Sequence, residues 1–273
     1  GDVYKRQMVN RGVEITLSGE IIRQKDFSWN ASLLYAFNRN KVKHISVQPS
    51  LWDSRISMPT SYPMVGKPLY GIYAYKWAGL NENGDPQVYD AENNVTSGPA
   101  RDYHALVYCG TTVPIHNASL TNVLRYKGLE FSAMLILDAG HKLRSSNIPS
   151  INMSNGRITS TAKGIVDRWT QPGDVTDVPR LLFSNDTENF NTHRTELYRY
   201  SDLFVYDASN IRLSNISLAY RVPAHWCKKI SLSGARLQFN VENVATFAFD
   251  SKANYDLGGK VKPNYVWGLY LNF

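Results

Sequence analysis

Seven stretches of this chain alternate apolar and polar residues with a period of two, the spacing that sends successive side chains to opposite faces of a β-strand. Residues 10–23 set Val13, Ile15, Leu17, Gly19 and Ile21 against Gly12, Glu14, Thr16, Ser18 and Glu20. After a polar turn at Gln24-Lys25-Asp26, residues 27–39 set Phe27, Trp29, Ala31, Leu33, Tyr35 and Phe37 against Ser28, Asn30, Ser32, Leu34, Ala36 and Asn38. Residues 115–126 and 129–139 carry Ala118, Leu120, Leu124 and Tyr126, then Leu129, Phe131, Ala133, Leu135 and Leu137, around a Lys127-Gly128 turn. Residues 206–221 and 230–245 flank a connection at 222–229; in the second of them Leu237, Phe239 and Val241 oppose Arg236, Gln238, Asn240 and Glu242. The last stretch, 265–273, places Tyr265, Trp267, Leu269, Leu271 and Phe273 on one wholly apolar side. The pattern predicts an all-β chain: a curved antiparallel sheet of about seven strands with one apolar and one mostly polar face.

Short and long connections alternate between these strands. Turns at 24–26, 127–128 and 222–229 are brief, whereas the Pro/Gly/Asn-rich segments at about 41–114 and 140–204 are long, and 250–262 leads to the final strand. Transmembrane barrels have short periplasmic turns and long extracellular loops, and their strands need only about nine to eleven tilted residues. A connection of about seventy residues without structure of its own is uncommon in a compact soluble domain. The expectation is therefore a transmembrane β-barrel architecture, with function in its extracellular loops. An ordinary sandwich strand remains the competing reading of any one alternating run.

Composition changes the picture little. Hydrophobic residues make up 43% of the 273 positions, and no run approaches the roughly 18 apolar residues of a transmembrane helix. Barrels pass that test unseen, because only every second residue meets lipid. The 17 Tyr and 6 Trp suit interfacial girdles and glycan-binding surfaces alike. The net charge of +7 suits anionic head groups or an acidic ligand, but the 30 Lys and Arg are scattered, without a basic helix or aromatic RNA-binding strand, so nucleic acid is set aside. Two cysteines, Cys109 and Cys227, exclude a disulfide scaffold and are expected at opposite barrel ends, unbridged. Six dispersed His and the absence of a Cys/His cluster give no metal site, no cofactor is indicated, and no nucleophile–base arrangement or paired carboxylates suggest an enzyme. Asn81-Glu82-Asn83-Gly84-Asp85 has the look of a calcium loop but lacks its distal Glu, so a turn explains it better. Six Asn-x-Ser/Thr sequons, three of them inside predicted strands, fit chance in an Asn-rich chain.

Taken in order, several runs resemble one family. They are Asn10-Arg11-Gly12-Val13-Glu14-Ile15; Lys25-Asp26-Phe27-Ser28-Trp29; Gly66-Lys67-Pro68-Leu69-Tyr70-Gly71 through Gly79-Leu80, with Asn83-Gly84-Asp85-Pro86; and Tyr126-Lys127-Gly128-Leu129-Glu130-Phe131-Ser132. Asp167-Arg168-Trp169-Thr170-Gln171-Pro172-Gly173-Asp174, Ala208-Ser209-Asn210-Ile211-Arg212-Leu213, Glu242-Asn243-Val244-Ala245 and the terminal Phe273 continue the series. Together they resemble the C-terminal part of SusC/RagA-type TonB-dependent outer-membrane transporters of Bacteroidetes. Cys109-Gly110-Thr111-Thr112-Val113-Pro114 fits less well, since the family usually has a Gly-x-x-Pro-like run there.

The resemblance implies a 22-stranded outer-membrane barrel with an N-terminal plug and a TonB box, a SusD-like surface lipoprotein as lid, and import of glycans (or peptides) driven through TonB. It implies that Tyr265, Trp267, Leu269, Leu271 and Phe273 form a C-terminal assembly signal, and that outer-membrane lipid meets the apolar face. Trp52, Tyr62, Tyr89, Tyr103, Trp169 and Phe190 are the loop aromatics that would stack on sugar rings or pack against the lid; packing within their own loop is the other role open to them. Glu14, Asn30, Arg125, Glu130, Arg236, Gln238 and Glu242 would keep the lumen wet, or simply face solvent. Seven strands cannot close such a barrel, so the chain alone is expected not to transport. Residues 1–7 are expected to be foreign, because Asp2-Val3-Tyr4-Lys5-Arg6-Gln7 back-translates to GATGTGTATAAGAGACAG, which resembles a transposase adapter; the receptor portion then covers 8–273. A soluble all-β carbohydrate-binding or glycan-active domain is the alternative. A complete small barrel is disfavoured by the odd strand number.

Overall fold

The computed structural model describes residues 6–46, 54–98, 102–154, 157–158, 162–183, 192–257 and 262–273. The seven alternating stretches are seven strands of one sheet: β1 (Arg6–Arg23), β2 (Phe27–Ile45), β3 (His116–Tyr126), β4 (Leu129–Ala139), β5 (Asn210–Arg221), β6 (Gly234–Ala248) and β7 (Asn264–Asn272). They lie side by side in chain order, and β2 through β7 pair antiparallel. Within the sheet β1 and β7 have one neighbour each, so it is open at both edges.

The short turns are held by backbone bonds to one another. Lys127 N donates to Asp26 O at 2.9 Å, and Arg221 N donates to Gly128 O at 2.8 Å, so three turns line up at one end of the sheet. That packing needs glycine at 128, where a Cβ would come within 2.7 Å of the Arg221 carbonyl oxygen. Between Leu213 and Asn215 the register of β5 shifts against both neighbours, with Asn243 opposite at φ 53°. Such a bulge absorbs one residue and adds local twist, and the apolar set stays on its own face across it.

Strand limits differ from the sequence expectation where other local structure intervenes. β6 starts at Gly234, not 230, because Ala224–Cys227 and Lys228–Ile230 form helical turns that end on Ser231 in the left-handed region, φ 59°. Val205–Asp207 is a separate short strand before β5, and β2 runs on to Ile45.

The larger correction concerns the long segments. The two were expected to lack structure of their own, yet residues 1–10, 40–113 and 142–206 make one compact unit, and 11–39, 114–141 and 207–273 make the other. In the first unit, Gly71–Tyr75 pairs with Leu106–Thr111, and Trp77–Leu80, Pro86–Tyr89 and Val95–Thr96 form a small meander. Tyr73, Tyr75, Val88, Leu106 and Leu197 are buried together, with Ile151, Tyr198 and Phe204 forming a second cluster. Leu197 of the second segment thus completes a cluster built by the first, and Trp77 of the first packs on the cluster of the second.

Candidate functional site

The paired registers sort the second unit into two faces. One continuous row crosses six strands: Trp29, Leu124, Phe131, Leu218, Phe239 and Trp267, each directly opposite the next. A parallel row holds Phe27, Tyr126, Leu129, Tyr220, Leu237 and Leu269. Another holds Leu33, Leu120, Leu135, Leu213 and Ala245. The exception, Asn122, accepts a bond from Trp29 Nε1 at 3.1 Å, and Tyr35 OH is bonded to His116 Nδ1 at 2.9 Å, so the polar atoms on this face are paired. The face is uncovered: Leu17 is 61% and Trp267 78% exposed, and Tyr265, Leu269, Leu271 and Phe273 are exposed with them.

Removing a Leu, Ile or Phe side chain from water is worth about 1.5–3 kcal/mol, so a wall of such residues left in water is not a stable soluble surface. From Phe27 to Phe37 the apolar set spans ten residue steps of about 3.4 Å, which at a tilt of about 40° gives a band roughly 26 Å tall, the height of a membrane barrel's outer band.

The opposite face is a network of paired polar groups. Arg125 Nε donates to Glu130 Oε2 at 2.7 Å, and Arg236 Nη2 to Glu130 Oε1 at 3.2 Å. Gln238 Nε2 donates to Asn240 Oδ1, Asn264 Nδ2 to Glu242 Oε2, and Ser18 and Ser32 hydroxyls meet at 2.7 Å. Asn117 and Arg212 both donate to Asp138. Asn30 lies on this face too, in the row of Ser132, Ser217 and Asn240, and Glu14 shares the parity of Ser18. All seven residues expected to line a lumen are therefore on the polar side.

In the first unit, one carboxylate organises three segments. Asp85 accepts from Arg180 Nε (3.1 Å) and Nη2 (3.0 Å) and from Arg194 Nε (2.9 Å). Arg194, on the Thr192–Arg199 helix and only 2% exposed, also donates to the carbonyls of Arg180 (2.6 Å) and Ile151 (3.3 Å). Burial pulls the Arg194 guanidinium below its usual range, and the Asp85 charge opposes that pull. The Asn81–Asp85 segment is a turn: Asn81 Oδ1 accepts from the amides of Asn83 and Asp85, leaving the Asp85 carboxylate to the two arginines. Gly84 sits at φ +73° with its α-carbon against Trp169, whose ring atoms would lie 2.4 Å from a Cβ there.

Of the loop aromatics, Tyr62, Tyr89, Tyr103 and Trp169 are each half-buried. Lys76 Nζ lies 4.6 Å from the Tyr89 ring, the Arg55 guanidinium 4.5 Å from that of Tyr103, and Trp169 covers Gly84. These three rings are thus in use within their own unit, and among the described residues no cavity is lined by the four together. Trp52 and Phe190 lie outside the described residues. The Asp85–Arg180–Arg194 clamp went unseen in the sequence, where about a hundred residues separate its members.

Cys109 and Cys227 are free thiols in different units. Burial, with a smaller push from Asp202, raises the Cys109 thiol to about 11.

No family model matches the chain. Two proteins of Formosa agariphila are similar to it: TonB-dependent receptor P3, 24% identical over 284 residues and covering 96% of this chain, and TonB-dependent receptor P26, 25% identical over 244 residues and covering 83%. Among solved structures, the RagAB peptide transporter superposes on 98% of the chain with a TM-score of 0.73 at 22% identity. The RagAB peptide importer in its open-open state does so with a TM-score of 0.70 at 21% identity. The fold is thus that of part of a RagAB-like receptor barrel. Against that receptor barrel, the open sheet with one apolar and one polar face is a sector of wall, and the long segments are its loops. The chain spans about a quarter of the curated relatives (27% and 23%) and 29–30% of the matched RagAB chains.

Proposed function

We propose that this chain supplies wall strands and surface loops to a TonB-dependent importer of the Gram-negative outer membrane, one that takes up glycans or peptides under a SusD-like surface lipoprotein. The observation that carries the reading is the apolar face that runs from strand to strand across the sheet, exposed and backed by a hydrogen-bonded polar face. Lipid is the solvent that stabilises the first, and a water-filled lumen the second. The short turns then face the periplasm, and the long connections leave the strand ends on the outer side. The relatives' names support a receptor or transporter rather than an enzyme, and the peptide importer among the matched structures supports peptide as a cargo class alongside glycan. Movement of the plug by TonB, through segments elsewhere in the full-length protein, would open the path.

The apolar residues of β7, Tyr265, Trp267, Leu269 and Leu271 with Phe273, are proposed as the stretch that the barrel-insertion machinery reads. Residues 1–7 are proposed to be foreign to the gene, which resequencing of genomic DNA across Gln7–Met8 tests; a native codon run for residues 2–7 overturns it. The soluble carbohydrate-binding alternative requires a second layer over the apolar face, and among the described residues no such layer exists within this unit. Fractionation of the full-length gene product tests the main reading: recovery in the outer membrane is expected, together with uptake of labelled oligosaccharide or peptide that stops when TonB is deleted. Recovery in a soluble fraction overturns it.

A further inference from the structure

The apolar face is not uniformly filled. Leu129, Leu218, Tyr220, Leu237, Phe239, Trp267 and Leu269 line an open groove of about 410 Å³, within the roughly 300–1,000 Å³ of small-molecule sites. The groove lies between two adjacent rows of the sheet. Phe239 and Trp267, with ring centroids 4.2 Å apart, make one bank rigid. It reaches the end of the sheet where the short turns gather: Leu129 is paired directly with Tyr126, and Lys127 Nζ lies 5.3 Å from the centroid of the Tyr126 ring. Lys127 is exposed at that turn, its ammonium over the Tyr126 ring at the end of the apolar face. The backbone of the turn is set by its left-handed conformation, φ 53°, and by the bond from its amide to Asp26 O. In the connection after β5, Lys228 and Lys229 are exposed together with Trp226 and Ile230, adding cations and interfacial side chains at the same end of the sheet.

We infer that this groove holds one anionic phospholipid of the periplasmic leaflet, with an acyl chain along Leu218, Leu237 and Trp267 and its phosphate at Lys127. An apolar channel alone would take any chain; the ammonium groups of Lys127, Lys228 and Lys229 at the same end of the sheet favour a negatively charged head group. A cation stacked on tyrosine at the level of the head groups is the arrangement by which amphipathic side chains sit at a membrane boundary. The inference rests on the outer-membrane reading above, since only a lipid-facing surface offers acyl chains.

The test uses the full-length receptor, purified from outer membranes in mild detergent and incubated with equal phosphatidylglycerol and phosphatidylethanolamine before native mass spectrometry. The wild type is expected to retain one phosphatidylglycerol with about a tenfold preference. Lys127→Gln should cut that preference severalfold while total lipid retention changes little, and Leu237→Trp, which fills the groove, should remove the retained lipid. Leu17→Trp, on the same face but on β1, should leave retention unchanged. Heat-modifiable migration checks that each barrel is folded; should Leu237→Trp fail to fold, the Lys127→Gln comparison decides. Equal retention of the two lipids by the wild type, or an unchanged preference in Lys127→Gln, overturns the inference. A receptor absent from the membrane fraction would instead overturn the outer-membrane reading, and this inference with it.

Discussion

Asp85 stabilises the loop unit through charge compensation. It faces two guanidinium groups, one of them on a side chain that is only 2% exposed, so removing the carboxylate leaves Arg194 buried without its counter-ion. Breaking a buried pair from one side typically costs about 3–5 kcal/mol, and Asp85→Ala is expected to loosen this unit by that order. Limited proteolysis of the full-length receptor should then show faster cleavage near residues 81–85 and 192–199, while heat-modifiable migration of the barrel is unchanged. Gly84→Ala is expected to act in the same direction, because the left-handed backbone disfavours alanine and the Trp169 ring occupies the space of its Cβ. Cys109 supplies a chemical readout of the same unit. With its thiol raised to about 11, against an ordinary value near 9, the thiolate fraction at neutral pH is roughly a hundredfold lower than that of an exposed cysteine. In a Cys227→Ser background, maleimide labelling should therefore be slow at pH 7 and climb about tenfold per pH unit until the pH nears 11. Labelling at the rate of a free thiol at pH 7 would contradict the buried setting of Cys109.

The strands were legible because their side chains follow a period of two for nine or more residues and the short turns between them are marked by Gly128, Asp26 and similar residues. Which residues share a face was legible too, since alternate residues of a strand fall on one side. The bulge at Ser214 leaves a trace as a break in parity, from Ile211 and Leu213 to Ile216, Leu218 and Tyr220, but its place shows only in the register against β4 and β6. The helical turn at Ala224–Cys227 was not legible, since Pro223 and a run of polar residues read equally well as loop. The loop aromatics were chosen by residue type alone, and type cannot tell a ring that packs on Gly84 from one that waits for ligand. Within the sheet, the apolar rows make a sharp prediction. Ile216→Arg, near the middle of β5, places a guanidinium on the apolar side and is expected to cost about 2–4 kcal/mol in barrel stability, whereas Thr121→Arg on the polar face is expected to cost far less. Urea unfolding of the full-length receptor in lipid vesicles measures both.

At the scale of the molecule, seven strands with two open edges form only part of a wall. Closure needs strand number, tilt and shear to agree, and unpaired edges invite association with other chains. The chain expressed by itself should therefore aggregate or be degraded and should not restore uptake to a strain lacking the receptor gene; restored uptake would show that these residues suffice. The loop unit is also what made the whole harder to read, because residues 40–113 and 142–206 look like two separate irregular connections until they share a core. Finally, the row that joins Trp29 to Trp267 runs perpendicular to strands that are themselves inclined. Five strand spacings of about 4.8 Å at a tilt of about 40° move the two indoles roughly 15 Å apart along the bilayer normal. The two tryptophans thus act as gauges at different depths, and brominated lipids carrying the quencher near the glycerol or near the chain ends should dim their fluorescence in opposite order in variants that keep only one of them.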